Sequence, residues 1–350
     1  MKSARIIKTK EPLHLEDLEM PKPKHEQVLV SVESAGVCHS DLHLWEGGYA
    51  GPPGVFMKVE DRGVKFPLTP GHEVAGRIEK IGESVTGFQI GERVLVYPWI
   101  REGLCPACRV GEENLCDLPR TLGIYQDGGY SELILVPSHK YLVKIQNLDV
   151  DASASLACSG LTAYTAVKKA NAQASETLVL IGAGGLGLMA VQLAKAITNA
   201  RVVIVDVDNK KLSEAKRLGA DETINSLSTD AVREIKNITG GLGSEIVIDF
   251  VNNSKTAQNT INMIRKRGRL IMVGFFGGSL ELNLPLIPQR AFTLTGAYTG
   301  KFADLVDLVA LARSGKVQSV VSRKYKLDQV NEALDELKDG KIIGRAVLSP

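Results

Sequence analysis

Residues able to bind a metal and to move protons are concentrated in one short stretch, residues 38–43. It reads Cys-His-Ser-Asp-Leu-His and offers a thiolate, a hydroxyl, a carboxylate and two imidazoles. Thiolates and imidazoles are typical zinc ligands, and the alternating apolar run before the stretch predicts a strand. We expect Cys38 to bind zinc, Ser40 to meet the substrate and His43 to carry its proton away.

Two further residues could complete a zinc site with Cys38. Cys158 is isolated in the sequence, and His72 lies in a Gly-His-Glu tripeptide that ends with Glu73. Two thiolates and one imidazole leave the fourth position of tetrahedral zinc open, which is typical of catalytic sites. Glu73 is a candidate occasional ligand. Asp41 is a candidate partner that orients His72, or an ordinary loop carboxylate.

The other three cysteines are clustered within twelve residues. Cys105 and Cys108 form a C-x-x-C pair, and Cys116 follows eight residues later. In a reducing compartment this spacing favours metal over disulfides, although three unligated thiols would have the same spacing. Glu102 could supply a fourth ligand through a carboxylate oxygen. Four protein ligands leave no position for a substrate, so we expect a structural zinc ion here.

A glycine-rich segment in the second half of the chain predicts a dinucleotide site. The motif G-x-G-x-x-G occupies residues 182–187, after an apolar strand pattern and before a helical one. Glycines here permit a tight turn, a close approach of the pyrophosphate and close packing of helix against strand, while the helix N-terminus attracts the phosphates. The expected contacts in this motif are Gly182, Gly184, Gly185, Leu186 and Gly187.

Asp206 indicates which dinucleotide binds. It closes the next predicted strand, where a carboxylate accepts hydrogen bonds from the ribose hydroxyls and repels a 2′-phosphate. We therefore expect NAD in preference to NADP, although Asp is also common where strands end. Lys211 could also reach the ribose or could be solvated.

The elements that must position these groups fall into two halves. Apolar alternations at 27–37, 74–81, 93–99 and 130–145 predict a mostly β region, interrupted by a long Gly- and Pro-rich loop at 47–70 that could be a lid, a subunit contact or a surface excursion. From about residue 155 strands alternate with helices, which predicts a parallel sheet covered on both faces. The predicted strands are 177–181, 201–205, 222–225, 245–251, 269–273, 292–297 and 345–348. The predicted helices are 186–196, 209–218, 229–238, 255–264, 302–314 and 329–337.

Composition limits the possible functions. A chain of 350 residues with 44% hydrophobic residues is typical of a two-domain globular protein. Its formal charge of +2, without a Lys/Arg block, argues against nucleic acid and anionic membranes as partners. The uncharged run 177–194 contains the glycine motif and favours a buried strand, turn and helix over a membrane span. Residues 1–10 lack a signal-peptide core, so we expect a cytoplasmic protein.

On these residues the chain resembles the medium-chain, zinc-dependent alcohol dehydrogenases, most closely the archaeal, tetrameric branch, over essentially its whole length. The pattern of Cys, a hydroxyl two residues on and His five residues on falls on Cys38, Ser40 and His43, and the Gly-His-Glu signature includes His72. The resemblance assigns Cys158 as the third catalytic ligand. It assigns a structural zinc ion to positions 102, 105, 108 and 116, where this chain departs from the common four-cysteine form by having a glutamate.

The resemblance also implies an α/β two-domain fold. A GroES-like, β-rich catalytic domain is expected at 1–155 with 298–350, and a Rossmann domain with a doubly wound parallel sheet at 156–297. It places ribose contacts on Asp206 and Lys211 and a pyrophosphate contact on Arg345. His39 stands where some members have an arginine beside the pyrophosphate. Thr162 and Val273 are further expected coenzyme contacts.

The implied activity is the reversible oxidation of primary or secondary alcohols with hydride transfer to NAD. The proton is expected to pass from Ser40 through the nicotinamide ribose to His43. Two zinc ions per chain and a homo-oligomer, a tetramer in preference to a dimer, are expected. Trp99 is a candidate wall of an apolar pocket or a core residue.

Two alternatives remain open. One is a polyol or threonine dehydrogenase, against which Cys158 argues because polyol-type relatives often have a carboxylate there. The other is a zinc-free or non-catalytic relative on the same scaffold, which would lack the Cys38, His72 and Cys158 set.

Overall fold

The computed structural model describes residues 1–350, which divide into two units. Unit 1 comprises Met1–Gly48, Lys58–Leu161 and Gly300–Pro350. Unit 2 comprises Tyr49–Met57 and Thr162–Thr299. Part of the loop 47–70 therefore belongs with unit 2. None of the helices combines the length and the apolar character that a membrane span requires.

Strands occur throughout the chain, and helices are concentrated in its second half. The strands are β1 (Lys2–Arg5), β2 (His14–Asp17), β3 (Val28–Val37), β4 (Gly48–Ala50), β5 (Phe56–Lys58), β6 (Glu73–Ile81), β7 (Arg93–Val96), β8 (Leu133–Val136), β9 (Leu142–Lys144), β10 (Thr177–Ile181), β11 (Arg201–Asp206), β12 (Glu222–Asn225), β13 (Ser244–Asp249), β14 (Ile264–Met272), β15 (Thr293–Gly296), β16 (Val321–Lys326) and β17 (Arg345–Ser349). The α-helices are α1 (His39–Glu46), α2 (Pro106–Arg109), α3 (Val150–Ala154), α4 (Ser159–Ala170), α5 (Gly185–Ile197), α6 (Asn209–Arg217), α7 (Ala231–Ile238), α8 (Ser254–Met263), α9 (Leu286–Arg290), α10 (Phe302–Arg313) and α11 (Val330–Lys338).

Unit 1 is built around the long strand β3. The order of the main sheet is β16-β17-β3-β6-β7-β9, with β8 also paired to β3. β3 and β6 run antiparallel, and Gly36 is the partner of Glu73 in their register. Because β3 ends where β6 begins, the residues after Val37 and before Glu73 meet at one end of the sheet.

The core of unit 1 lies against this sheet. Val28, Val30, Val94 and Tyr130 have no exposed surface, and they belong to one continuous apolar cluster that also includes Leu334 of α11. Burying such side chains contributes on the order of 1.5–3 kcal/mol each. The sheet is therefore a rigid platform for the segments at its end.

Unit 2 contains the predicted doubly wound parallel sheet, which is confirmed. Its strand order is β12-β11-β10-β13-β14-β15, and every neighbouring pair is parallel. The chain starts in the centre at β10, moves to one edge and then crosses to the other side at β13. Right-handed crossovers place the helices on opposite faces, and α5 packs on α6 while α7 packs on α8. The uncharged run 177–194 is thus a buried strand and the following helix.

Several boundaries differ from the predicted ones for identifiable reasons. The strand predicted at 245–251 ends at Asp249, because this carboxylate accepts hydrogen bonds from the backbone N–H groups of Val251 and Asn252 and turns the chain. The helix predicted from 229 begins two residues later, where Asp230 caps the N–H groups of the first turn. The run 130–145 is two short strands separated by a 3₁₀ turn.

Candidate active site

Four side chains from three separate segments of unit 1 converge at the end of the β3–β6 pair. Cys38 directly follows β3, His72 directly precedes β6, and Cys158 lies between a 3₁₀ turn and α4. The ligand atoms of these three residues and of Glu73 all lie within 4.8 Å of one another. All four side chains are buried. The structure therefore brings together the predicted catalytic-zinc residues and the carboxylate beside them.

The arrangement fits a zinc ion. Tetrahedral ligand atoms placed at about 2.0–2.3 Å from zinc are on the order of 4 Å apart, which agrees with the spacing of the cluster. The Nε2 atom of His72 and the Oε2 atom of Glu73 are buried and have no hydrogen-bond partner. Buried polar atoms are normally satisfied, and a bound cation would satisfy both.

Asp41 orients the histidine of this cluster. Its buried carboxylate contacts His72 Nδ1 at 3.2 Å and accepts hydrogen bonds from Cys38 N at 2.9 Å and from the Tyr130 hydroxyl at 2.9 Å. A donor role for Nδ1 leaves the Nε2 lone pair available for a metal. Burial lowers the pKa of His72, but the Asp41 carboxylate and Cys38 together outweigh this effect and raise the pKa well above its usual value. In the absence of metal, His72 thus tends to keep its proton.

The thiols of the cluster are unequal. The hydrogen bond with Cys158 and the nearby Arg345 guanidinium bring the pKa of Cys38 well below its usual value, against the effect of burial. The same interaction with Cys38, together with burial, raises the pKa of Cys158. Cys38 is therefore the sulfur that ionises first, and Cys158 ionises when a cation replaces its proton.

Arg345 also contacts the cluster. Its guanidinium donates to Glu73 Oε1 at 3.0 Å and to Ser159 Oγ at 3.0 Å, and it lies 3.8 Å from Cys38 Sγ. Burial raises the pKa of Glu73 to about 7, although Arg345 acts in the opposite direction. The buried guanidinium offsets the negative charge of thiolates and carboxylate. Its expected contact with a pyrophosphate stays a prediction.

Glu73 itself has room in the site only because of a glycine. A Cβ added at Gly36, its partner across the β3–β6 pair, would collide with the Glu73 carboxylate. This steric role of Gly36 was not predicted from the sequence, and neither were the contacts of Tyr130 and Ser159. The available signal for Gly36 was a glycine inside an otherwise apolar strand.

Ser40, His43 and His39 lie on α1, beside the cluster. Ser40 Oγ is 3.9 Å from Cys38 Sγ, and His43 follows Ser40 by three positions, so both side chains share one face of the helix. All three are partly exposed. Burial lowers the pKa of His43, against the raising effect of Cys38 and Glu46. A neutral imidazole at this position can accept a proton.

Trp99 also borders the cluster. Its ring centroid is 5.8 Å from that of His72, and its indole N–H donates to the carbonyl of Ala157 at 3.2 Å. The side chain is 3% exposed. Trp99 is therefore a core residue beside the cluster, and its contact with a substrate stays a prediction.

A second group of four possible ligands is formed locally. Glu102, Cys105, Cys108 and Cys116 place their ligand atoms within 4.8 Å of one another. The Glu102 carboxylate accepts hydrogen bonds from the N–H groups of Cys105 and Leu104 at 2.5 and 2.8 Å, which lowers its pKa. Burial raises the pKa of Cys108 to about 12. Three sulfurs and a carboxylate at this spacing fit zinc with no open position.

The glycine motif adopts the geometry expected for its role. Gly182 has φ = 96°, which L side chains rarely adopt. A Cβ at Gly187 would collide with the carbonyl of Gly182, whereas a Cβ at Gly184 would meet nothing within 4 Å. Gly184 therefore leaves open space beside the backbone. It directly precedes α5, whose first residues are Gly185 and Leu186.

Asp206 lies at the end of β11, next to the glycine motif. Its carboxylate accepts a hydrogen bond from the N–H of Ala183 at 2.6 Å. Lys211 lies in the first turn of α6 and is partly exposed. Thr162 and Val273 are buried. Coenzyme contacts of these four residues stay predictions.

Two family models match the chain. An alcohol dehydrogenase GroES-like domain matches residues 24–147, and a zinc-binding dehydrogenase domain matches residues 185–314. The first contains both metal clusters except Cys158, and the second begins within the glycine motif.

Relatives match over the full length. A protein of Sulfurisphaera tokodaii named NAD-dependent alcohol dehydrogenase is 47% identical, with 100% of both chains covered. One of Saccharolobus solfataricus with the same name is 44% identical, again over 100% of both chains. The crystal structure of the alcohol dehydrogenase from Aeropyrum pernix has a TM-score of 0.92 and 37% identity, covering 100% of each chain.

Proposed function

The chain belongs to the archaeal branch of the medium-chain, zinc-dependent alcohol dehydrogenases, and from this we propose that it oxidises primary or secondary alcohols reversibly with NAD as hydride acceptor. The observation that carries the proposal is the buried cluster of Cys38, His72, Glu73 and Cys158, with an unpartnered imidazole nitrogen in it and a hydroxyl beside it. We assign 156–297 as the coenzyme-binding domain and 1–155 with 298–350 as the catalytic domain. The two units divide after Leu161 and after Thr299, and Tyr49–Met57 groups with unit 2.

We assign Cys38, His72 and Cys158 as the ligands of a catalytic zinc ion, with Glu73 as an occasional fourth ligand. Zinc held there supplies a Lewis acid that makes an alcohol hydroxyl more acidic. Asp41 holds His72 in the required tautomer, and Arg345 holds Glu73 beside the site. These residues position the metal without contacting the substrate.

Ser40 and His43 move the proton. The hydroxyl of Ser40 would accept the alcohol proton and release its own proton, and His43, one turn further along α1, would take up a proton and pass it towards solvent. The depressed pKa of His43 keeps its imidazole neutral and therefore able to accept a proton. NAD supplies the hydride acceptor when bound at the glycine motif and Asp206.

Steady-state kinetics of Ser40→Ala test the assignment of the proton acceptor. We expect kcat to fall by about 10²–10⁴-fold, the usual contribution of a positioned acid–base group, with unchanged zinc content. Ser34→Ala is the matched control, since this buried hydroxyl lies in the same unit outside the cluster. An unchanged kcat in Ser40→Ala would remove Ser40 from the relay.

Asp206→Gly tests the coenzyme preference. Removing the carboxylate removes both the ribose hydrogen bonds and the repulsion of a 2′-phosphate. We expect the ratio of kcat/KM with NAD to that with NADP to fall clearly, measured with one alcohol. An unchanged ratio would contradict the role of Asp206.

We also propose a structural zinc ion at Glu102, Cys105, Cys108 and Cys116, and a cytoplasmic location. All five cysteines are free thiols, which is the form that a reducing compartment maintains. The polyol and threonine alternatives are less favoured because Cys158 places a sulfur, and not a carboxylate, at the third ligand position. A panel of primary, secondary, cyclic and benzylic alcohols, with sorbitol and threonine included, separates these substrates.

We propose that the chain forms a homo-oligomer, with a tetramer favoured over a dimer. β15 is an edge strand of the sheet of unit 2, and its Leu294 is 43% exposed. Phe276, Leu284 and Ile287 of the same unit are also exposed. Exposed apolar edge strands commonly pair with another chain. Light scattering gives the solution mass, and a monomeric mass would contradict the proposal.

A further inference from the structure

The last turn of α1 is held by a segment close to the start of the chain. The indole N–H of Trp45 donates to the carbonyl of Glu11 at 2.7 Å. The backbone N–H of Lys10 donates to the carbonyl of Trp45, also at 2.7 Å. The last carbonyls of a helix have no partner within the helix, and Lys10 satisfies one of them. Trp45 is thus bound to this segment through both its side chain and its backbone.

The same segment lies close to the residue that ends the helix. Gly47 has φ = 83°, and a Cβ added there would lie 3.1 Å from the side chain of Thr9. Any other residue would be strained in this conformation and would press on Thr9. The glycine therefore allows the segment to pack against the end of α1.

Helix α11 supports the same turn of α1. Its last residue, Lys338, places Nζ 4.8 Å from the centre of the Trp45 ring and 3.1 Å from Glu46 Oε1. An ammonium group is attracted to the face of an indole ring. Trp45 therefore contacts two separate supports, the segment near the start of the chain and the end of α11.

The proposed proton relay lies on the same helix but on a different side of it. Trp45 follows His43 by two positions, so the two side chains do not share a face. The first turn of α1 is held separately, because the Asp41 carboxylate accepts a hydrogen bond from the N–H of Cys38 at 2.9 Å. Ser40 and His43 therefore lie between a support in the first turn and one in the last.

The support in the last turn matters because α1 is joined directly to a segment that groups with unit 2. The helix ends at Gly47, and Tyr49–Met57 belongs to unit 2. The ring of Tyr49 lies 6.0 Å from that of Phe275, another residue of unit 2. Without contacts to unit 1, the last turn of α1 would follow any movement of the segment after it.

We propose that Trp45 is a positioning residue for the proton relay. It holds the last turn of α1 against the segment near the start of the chain and against α11, and so keeps His43 where it can take up the proton that Ser40 releases. Trp45 acts through His43 and is not itself an acid or a base. The inference rests on the proposed function, since it requires His43 to take part in proton transfer.

Kinetics of Trp45→Phe in the full-length, zinc-loaded protein test this role. The variant keeps an aromatic ring and loses the indole N–H. We expect kcat to fall about tenfold, because a small misplacement of a catalytic group is costly, with zinc content and the dissociation constant for NAD unchanged. Raising the concentration of MOPS at constant pH and ionic strength should restore most of kcat, because the buffer accepts the proton in place of a misplaced His43.

Asn331→Ala is the matched control. Asn331 of α11 accepts a hydrogen bond from the N–H of Leu13 at 2.8 Å and donates one to its carbonyl at 3.0 Å. These bonds join α11 to the chain just after Glu11 and do not involve α1. Asn331→Ala should lower the melting temperature at least as much as Trp45→Phe, while its kcat stays that of the wild type at every MOPS concentration.

Three results would overturn the proposal: an unchanged kcat in Trp45→Phe, an equal loss of kcat in Asn331→Ala, or a loss in Trp45→Phe that MOPS does not restore. If Trp45→Phe does not fold, Lys338→Met decides, and an unchanged kcat there would contradict the proposal. His43→Ala, measured in parallel, separates this inference from the proposed function. If His43→Ala is impaired and restored by MOPS while Trp45→Phe resembles the wild type, the role of Trp45 alone is wrong. Wild-type turnover in His43→Ala would contradict the relay itself, and the role of Trp45 with it.

Discussion

Each of the two clusters of possible zinc ligands has four members whose ligand atoms lie within 4.8 Å of one another, yet the clusters are built in opposite ways. Cys38, His72, Glu73 and Cys158 come from distant parts of the chain and are all buried. The second cluster comes from residues 102–116 alone and is partly exposed. The first depends on the folded sheet of unit 1, whereas the second depends mainly on local turns.

The surroundings of the two clusters differ more than the ligands do. Around the first lie Asp41 and Arg345, which are hydrogen-bonded to His72 and Glu73, and Tyr130, whose hydroxyl donates to Asp41. Around the second, the main support is the hydrogen bonding of Glu102 to neighbouring backbone N–H groups. Buried ligands oriented by hydrogen bonds are typical of a metal ion that binds a substrate. Ligands from one short segment are typical of a metal ion that stabilises a loop.

The largest expected difference is in activity. Cys38→Ser should reduce alcohol oxidation by about 10³-fold or more, because the Lewis acid contribution of the metal is lost, while NAD binding remains. Cys105→Ser should lose one zinc ion and lower the melting temperature, since a structural zinc ion contributes folding free energy, but the surviving folded protein should keep measurable turnover. The measurements are initial rates, NAD titration and thermal unfolding of both variants.

Two results would break this contrast. Normal turnover in Cys38→Ser would remove the catalytic metal from the first cluster. Complete loss of activity in a folded Cys105→Ser protein would show that the second cluster does more than hold its loop.

The second-largest expected difference between the clusters is in how the rate of metal release depends on pH, and it concerns the first cluster. Zinc needs a neutral His72 and an ionised Cys158, and the pKa of each is raised in the metal-free protein. Protons therefore compete with zinc more strongly as pH falls, and release to a chelator should become faster at lower pH. Stopped-flow chelation with a chromogenic dye measures the rate.

Asp41→Asn sharpens this prediction. The Asp41 carboxylate raises the pKa of His72, so its removal weakens the competition by protons. The steep part of the release profile should move to lower pH. A profile that moves to higher pH, or does not move, would contradict the assigned role of Asp41.

The smallest expected effect concerns Tyr130. Tyr130→Phe removes the hydroxyl that donates to Asp41 Oδ2 at 2.9 Å. We expect the free energy of unfolding to fall by about 1–2 kcal/mol and kcat to change little, because Asp41 keeps its contacts with Cys38 and His72. Tyr97→Phe is the matched control, since the hydroxyl of Tyr97 donates to a backbone carbonyl outside the cluster. A large loss of kcat in Tyr130→Phe, without a similar loss in Tyr97→Phe, would contradict this expectation.

The difference between the clusters also decides what the sequence could predict. The second cluster was predictable as a unit, because Cys105, Cys108 and Cys116 are close in sequence and their spacing is informative. The members of the first cluster were identified one by one with the help of a family resemblance. Of their supports, Asp41 was predicted, because it lies three residues after Cys38. The contacts of Tyr130 and Arg345 were not predicted, because these residues are 89 and 307 positions from the residues they contact.

In the fold, too, features that follow from local sequence were predicted, and features that depend on other contacts were not. The parallel sheet of unit 2 follows from apolar strands that alternate with helices, and its prediction is confirmed. The end of β13 at Asp249 was not predicted, because a side chain that bonds to the backbone three residues later interrupts an apolar run. The steric role of Gly36, which leaves room for the Glu73 side chain, was not predicted either. It depends on the register in which β3 and β6 pair.

The zinc content of the wild type and of the two serine variants tests the central claim most directly, namely that these are two separate metal sites with different functions. Elemental analysis of the purified protein should give two zinc ions per chain, one for each cluster. Cys38→Ser and Cys105→Ser should each retain one, and only Cys105→Ser should remain active. One or no zinc ion per chain in the active wild type, or the reverse pattern of activity, would contradict it.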